Sequence, residues 1–197
     1  MSSQKTVVLN IPGTGPFDLT TWEHDRIVHA AERHLCEEPI TITAHPAPRS
    51  TGGINDFFSE GDYWWPDPRD PDGPYIRRDG ETNPDNFTAH REVLRGMSIH
   101  VPTLAAAWLS TGRNDFAAKA GAHLRAWFAE PATRMTPHLE YGQAIKGICT
   151  GRGIGIVDTI HLAEVAVAVR VLAALGAIDP HIARTTTEWF RQYMIWL

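Results

Sequence analysis

Apolar and small residues recur every three or four positions along five stretches of this chain. Two long segments between them show neither a helical nor a strand period. The first pattern is Ile27, Ala30, Ala31, His34 and Leu35, with Thr20 or Thr21 as its cap and Pro39 as its stop. The second begins after Asn83-Pro84 and aligns Val93, Leu94, Met97, Val101, Leu104, Ala105 and Trp108, with His100 on the same stripe. Pro102 falls inside it and should kink it or split it in two. The third starts at Asn114 and aligns Phe116, Ala120, Leu124, Trp127 and Phe128 before Pro131 stops it. The fourth runs from a cap at Asp158 or Thr159 to about Leu175. Its alternating valines (Val165, Val167, Val169, Val171) would also suit a strand, but its length and the surrounding Ala and Leu favour a helix. The last follows Asp179-Pro180 and puts Trp189, Tyr193, Trp196 and Leu197 on one side, with no stop signal after it, so a continuing chain is expected. Brief extended pieces are expected at residues 5–10 and 40–44. Short turns between helices predict antiparallel neighbours.

The first aperiodic segment, residues 59–86, reads SEGDYWWPDPRDPDGPYIRRDGETNPDN. A loop this long inside a compact domain is usually functional or disordered, and its aromatic residues argue against disorder. Tyr63, Trp64 and Trp65 offer flat faces that suit pyranose rings. Arg77 and Arg78 offer guanidinium forks that pair with carboxylates through two hydrogen bonds. Together they are what a site for an acidic sugar chain needs. A competing reading has the loop folding its tryptophans beneath itself as a satellite core. Neighbouring side chains on an extended segment point opposite ways, so one of the two arginines is expected to be a solvated charge opposing Asp79 or Glu81. Asn83 precedes a proline, and turn chemistry explains it as well as ligand binding does.

The second aperiodic segment, residues 130–156, reads EPATRMTPHLEYGQAIKGICTGRGIGI. Tyr141, Gln143 and Arg152 are its candidates to reach a cleft. His138 is a further candidate, set against the commoner role of a lone loop histidine on the surface. Gly151, Gly153 and Gly155 are expected to serve the backbone, through positive φ or close approach. TGRGIG lacks the G-x-G-x-x-G spacing and a surrounding βαβ unit, so it is not a dinucleotide site.

Composition narrows the partners. The 197 residues suit one domain or part of a larger one, and the net charge of −5 comes from acids and bases mixed along the chain. Without a basic stripe, nucleic acid is excluded as the main partner, and any grip on a polyanion must come from a local arginine cluster. No stretch is apolar enough to span a membrane, and no signal peptide is recognisable. Cys36 and Cys149 are either two thiols or one bridge, and their apolar surroundings favour buried thiols. The ten histidines show no H-x-x-x-H spacing with a third partner, so no catalytic metal and no cofactor are expected. His100 and His161 read as packing histidines.

Taken in order, YWWPDP, RRDGE-x-NP, AWF-x-x-PATRM and TGRGIGI-x-DT resemble the N-terminal part of the alginate lyase family of polysaccharide lyases, from about residue 40 to the end. The resemblance implies an all-α fold, an incomplete (α/α)n toroid of antiparallel helical hairpins with two long irregular loops. An N-terminal strand and helix over residues 1–39 would precede it. It also implies β-elimination on a uronate polymer such as alginate: loss of the C5 proton breaks the C4–O bond and leaves an unsaturated uronate end. The carboxylate must be neutralised, a base must take the proton, and an acid must protonate the leaving oxygen. In the family these jobs fall mainly on an Asn-His pair and on a later Tyr with an Arg nearby. This sequence holds no Asn-His step. The expectation is therefore a substrate-binding wall of Tyr63, Trp64, Trp65, Arg77, Arg78, Asn83, His138, Tyr141, Gln143 and Arg152. No catalytic residue is assigned, and weak or absent turnover is expected of this chain. The family is typically periplasmic or secreted. Rival readings are a non-catalytic carbohydrate-binding module and a glycoside hydrolase. The hydrolase would need two opposed carboxylates, which Asp62, Asp67 and Glu140 do not reveal by position alone.

Overall fold

The computed structural model describes residues 8–11 and 15–197, so part of the expected strand at residues 5–10 lies outside the described residues. Five α-helices dominate these residues: α1 (Leu19–Leu35), α2 (Ala89–Thr111), α3 (Asn114–Leu124), α4 (Leu162–Ala174) and α5 (Pro180–Trp196). Each matches one of the five apolar patterns, and the valine-rich one is helical. The central helix is α2, which packs against α1, α3 and α4, while α5 closes on α4 and α3. Among the described residues no helix is long and apolar enough to cross a membrane.

Contrary to the expected split, α2 runs unbroken through Pro102. The proline removes the bond to the Ser98 carbonyl, but Leu94, Met97 and Val101 before it and Leu104 and Ala105 after it are all buried. Each large side chain so buried contributes about 1.5–3 kcal/mol, enough to offset one lost bond several times over. Gly112 ends the helix with φ 69°, its N–H donating to the Trp108 carbonyl at 2.8 Å. The turn leads straight into α3, and after Leu124 the helix widens into a π-turn (Arg125–Ala129) that buries Trp127 and Phe128. At the other end of the chain Asp179 caps α5, its carboxylate accepting from the His181 and Ile182 N–H groups at 2.7 and 3.4 Å, with Pro180 in the first turn. Trp189 and Tyr193 are buried as the pattern predicts, whereas Trp196 and Leu197 are largely exposed.

Several expectations are corrected. Residues 40–44 form a 3-10 turn over Ile42–Ala44 instead of a strand, because Ile42 is drawn fully into the core. Asp158 and Thr159 do not cap α4. They end a 3-10 turn (Gly153–Thr159), and the Thr159 hydroxyl meets the Tyr193 hydroxyl at 2.6 Å. Cys36 is exposed and Cys149 half-buried, both free: Cys36 lies just past the end of α1, and Cys149 sits in an isolated bridge with Ile145, away from the helices' packed stripes. His161 is exposed and does not pack.

The all-α expectation is corrected too: the fold is mostly helical but carries three two-stranded sheets. β1 (Val8–Ile11) pairs antiparallel with β2 (Gly15–Asp18), β3 (Phe58–Glu60) pairs parallel with β6 (Tyr141–Ala144), and β4 (Trp64–Trp65) pairs antiparallel with β5 (Ile76–Arg77). The last two sheets are made from the aperiodic segments. Strands of two to four residues are too short to display an alternation, but their buried backbone groups still need partners and find them in each other.

Candidate functional site

The parallel β3–β6 pairing joins the two aperiodic segments. Phe58 faces Tyr141 and Glu60 faces Ala144, so β6 carries one residue more than β3 between these pairs. Gln143 falls in that interval with φ 56°, the one described non-glycine residue in the left-handed region. Such a conformation costs about 1–3 kcal/mol and persists only where its surroundings hold it. Here every polar group of the residue is engaged. Its N–H donates to Ser59 Oγ at 2.8 Å, and its carbonyl accepts from Arg152 Nε at 2.8 Å. Its side-chain Oε1 accepts from Arg152 Nη2 at 3.1 Å, and Nε2 donates to the Asp158 carboxylate at 3.2 and 3.3 Å.

Asp158 is the hub of this network. Its carboxylate also accepts from Ser59 Oγ at 2.5 Å and lies 3.3 Å from Arg91 Nε, with only 6 % of its side chain exposed. Arg91 Nη1 donates to Asp62 at 2.6 Å, and its Nη2 to the Glu60 carbonyl. A buried carboxylate is tolerable only with an opposite charge and hydrogen-bond donors around it, and Arg91, Ser59 and Gln143 supply both. Glu60, whose side chain leaves β3 on the side opposite Ser59, pairs with Arg49 at 2.5 Å and accepts from the Phe87 N–H. Hydrogen bonding to Glu60 raises the Arg49 guanidinium above its ordinary value. A cavity of about 360 Å³ on that side is lined by Arg49, Glu60, Lys146 and Cys149 and by none of the expected sugar-contact residues.

Gly61, immediately after β3, brings the two segments' side chains together. A Cβ there would lie 2.6 Å from Trp64 Cδ1 and 2.7 Å from Arg152 Nη2, so indole and guanidinium close over this glycine. In the β4–β5 hairpin Trp64 stands opposite Arg77, and directly opposed residues share a face. Trp64 therefore shares a hairpin face with Arg77 and meets Arg152 over Gly61. Among the described residues Arg152 Nη1 has no partner, since Gln143 takes Nε and Nη2. Trp65 points to the other face, where the Arg78 guanidinium lies 4.7 Å from its ring centre and its Nε1 donates to the Glu81 carbonyl at 2.8 Å. Both tryptophans are half-buried, neither lost in the core.

The remaining expected residues are placed differently. Tyr63 is exposed, and its carbonyl accepts from the Arg78 N–H at 2.8 Å. Arg77 is exposed and bonds Asp79 at 2.7 Å. Asn83 is buried, its Nδ2 donating to the Trp64 carbonyl and its Oδ1 accepting from the Asp85 N–H, so it braces the hairpin. His138 and Tyr141 belong to a second cluster. His138 Nε2 lies 3.3 Å from Asp56, its ring centre is 6.1 Å from that of Tyr141 and 6.3 Å from that of Trp196, and the Tyr141 ring closes over Gly52. Of the three glycines, Gly151 and Gly155 serve close approach: a Cβ would meet the Glu140 carbonyl oxygen at 1.9 Å and Gly142 Cα at 3.2 Å respectively. A Cβ at Gly153 would meet nothing, and none of the three has positive φ.

Ser59, Asp62, Arg91 and Asp158 were not among the residues expected from sequence. Arg91 did carry a signal. It occupies the first turn of α2, where the helix dipole disfavours a cation, so an acidic partner outside the helix is required.

The family described as alginate lyase matches residues 41–197. The crystal structure of an alginate lyase from Bacteroides ovatus is 36 % identical, with a TM-score of 0.78, over 88 % of this chain and 46 % of that one. The chain thus spans about half the length of that solved relative. No curated protein matches.

Proposed function

The chain belongs to the alginate lyase family, and from that membership we propose that Trp64, Arg77 and Arg152 form a wall that grips an acidic, uronate-containing polysaccharide of the alginate type. The observation that carries the reading is the closure of Trp64 and Arg152 over Gly61. The indole covers a sugar ring, and Arg152 pairs with a uronate carboxylate. Gln143 fixes the Arg152 head from behind, so little side-chain freedom remains to be lost on binding. Neutralising that carboxylate is the first requirement of β-elimination, because it makes the C5 proton acidic enough to leave. This is the share of the reaction proposed for the described residues, and their five helices are proposed as part of an incomplete (α/α) toroid.

Asp62 is committed to Arg91 and Asp67 to the Arg69 N–H of its own turn, so neither stands as one of two opposed free carboxylates. That favours the lyase over the hydrolase reading. Calorimetric titration with alginate oligosaccharides tests the wall: Trp64→Ala and Arg152→Ala should each weaken binding about tenfold or more, equivalent to about 1.4 kcal/mol. Arg78→Ala, on the opposite hairpin face, should not. Wild-type affinity in both of the first two variants would remove the groove. Ultraviolet absorbance during the same incubation reports unsaturated ends. Weak or no growth is expected, and a steady rise would require a complete elimination site within this chain.

A further inference from the structure

Separate from that wall, the end of α1 meets α2 and α3 at three histidines and a glutamate. His34 lies in the last turn of α1, Glu37 just past it, His100 on the apolar stripe of α2, and His123 on the buried face of α3. Glu37 reaches both first histidines, its carboxylate oxygens lying 2.8 Å from His100 Nε2 and 3.4 Å from His34 Nδ1. The two imidazole centres are 4.2 Å apart, and all three ligand atoms lie within 4.8 Å of one another. His123 meets His100 edge-on at 5.2 Å and is only 2 % exposed. Among the described residues, both its nitrogens and Nδ1 of His100 are buried without a hydrogen-bond partner. Buried polar atoms are nearly always partnered, so three orphaned ring nitrogens at one spot ask for an explanation. A cavity of about 280 Å³ beside them is lined by Glu37, Glu38, Met97, His100 and His123.

We propose that His34, Glu37 and His100 bind a divalent transition-metal ion, zinc in preference, with His123 as the positioning residue behind them. Two imidazoles and a carboxylate are a donor set that zinc favours. Zinc bonds of about 2.0–2.2 Å put neighbouring tetrahedral ligand atoms about 3.3 Å apart, a spacing within the span of these side chains, so rotations alone complete the site. Ligation through His100 Nε2 leaves its Nδ1–H needing an acceptor, as metal-bound histidines generally do, and His123 is the neighbouring ring with unused nitrogens. Glu37 is 46 % exposed, which gives the ion a route from solvent. His34 and Glu37 precede residue 41, where the family match begins. The ion therefore fastens α1 to α2 of the family body, a structural role independent of polysaccharide binding.

The test uses the full chain stripped with a chelator, titrated with Zn²⁺ by calorimetry and with Co²⁺ by visible absorption. One ion per chain and the intense bands of tetrahedral cobalt are expected. His34→Ala/His100→Ala should abolish both. Glu37→Gln should remove the rise in melting temperature that Zn²⁺ produces, measured against that variant's own metal-free value. His123→Phe should weaken binding roughly 10–100-fold, and His123→Gln, which restores an acceptor, should recover most of it. Absence of saturable binding, or wild-type affinity and cobalt bands in the double variant, would overturn the site. A Zn²⁺ response retained by Glu37→Gln would do the same.

Discussion

Residues 61–86 are fixed largely by partners within the same segment: Trp65 bonds the Glu81 carbonyl, Arg78 covers Trp65, and Asn83 bonds the Trp64 carbonyl. Residues 141–158 are fixed by partners within the segment, Arg152 and Asp158 on Gln143, and by others far away in sequence. Gln143 is bonded to Ser59, 84 residues earlier, and Asp158 to the same serine, 99 residues earlier. The first segment keeps Arg77, Asp79 and Glu81 in water, whereas the second buries the Asp158 carboxylate. Local, solvated contacts can be lost one at a time at little cost. A buried network fails as a unit, because each removed partner strands another polar group.

The sharpest way to break this contrast is Asp158→Ala against Asp79→Ala. Removing Asp158 leaves Arg91 with only Asp62 and the Glu60 carbonyl, and should cost about 3 kcal/mol, read from urea denaturation. Removing Asp79, an exposed partner of Arg77, should not shift the midpoint measurably. Equal effects would show that the second segment is no more interdependent than the first.

Backbone clearance separates neighbouring glycines within the second segment. Gly151→Ala drives a methyl into the Glu140 carbonyl and should destabilise by about 2 kcal/mol. Gly153→Ala meets only open space and should leave stability unchanged. Matching thermal shifts in the two variants would count against the packing of the Gly-rich turn on residue 140.

A smaller effect is expected on acidification, through the residue that ties α2 to β3. His90 Nδ1 accepts from the Phe58 N–H at 3.0 Å, so Nε2 carries the proton and donates to the His45 carbonyl at 2.8 Å. Burial pushes this imidazole below its ordinary value. The unfolded chain therefore takes up the proton first, near pH 6.5. Its contribution to stability is complete above that pH and falls as pH drops through it toward the native value. Urea midpoints between neutral and mildly acid pH should decline in the wild type and decline less steeply in His90→Gln, the remainder coming from buried His123 and His100, which burial also pushes down. An unchanged slope in the variant would assign the decline elsewhere.

Smallest in stability is Arg77→Ala, an exposed residue whose loss should leave the fold untouched while weakening alginate-oligosaccharide binding in calorimetry. Affinity equal to wild type would confine the proposed wall to Trp64 and Arg152.

The helices were legible in the chain. Five apolar repeats became five helices and Asp179-Pro180 opened α5, because a stripe and its cap are properties of residues a few positions apart. That one of the two arginines would be a solvated charge followed from the alternation of an extended segment, and Arg77 is the one, bonded to Asp79. Which tryptophan would face Arg152 depended on how β4 paired with β5 and where β6 came to lie. Asp158 looked like a helix cap and became the hub of a buried network, and Gln143 looked like a cleft residue and became a support held at positive φ. The sequence by itself determined that five helices form and which stripe each buries, along with the aromatic and arginine chemistry available between them. Their first and last residues, such as Leu19 ahead of the expected Thr20 or Thr21 cap, came from the structure. Only the tertiary structure decided which charges meet, since Ser59, Arg91 and Asp158 come from three separate segments and nothing local specifies that they share one solvent-poor site.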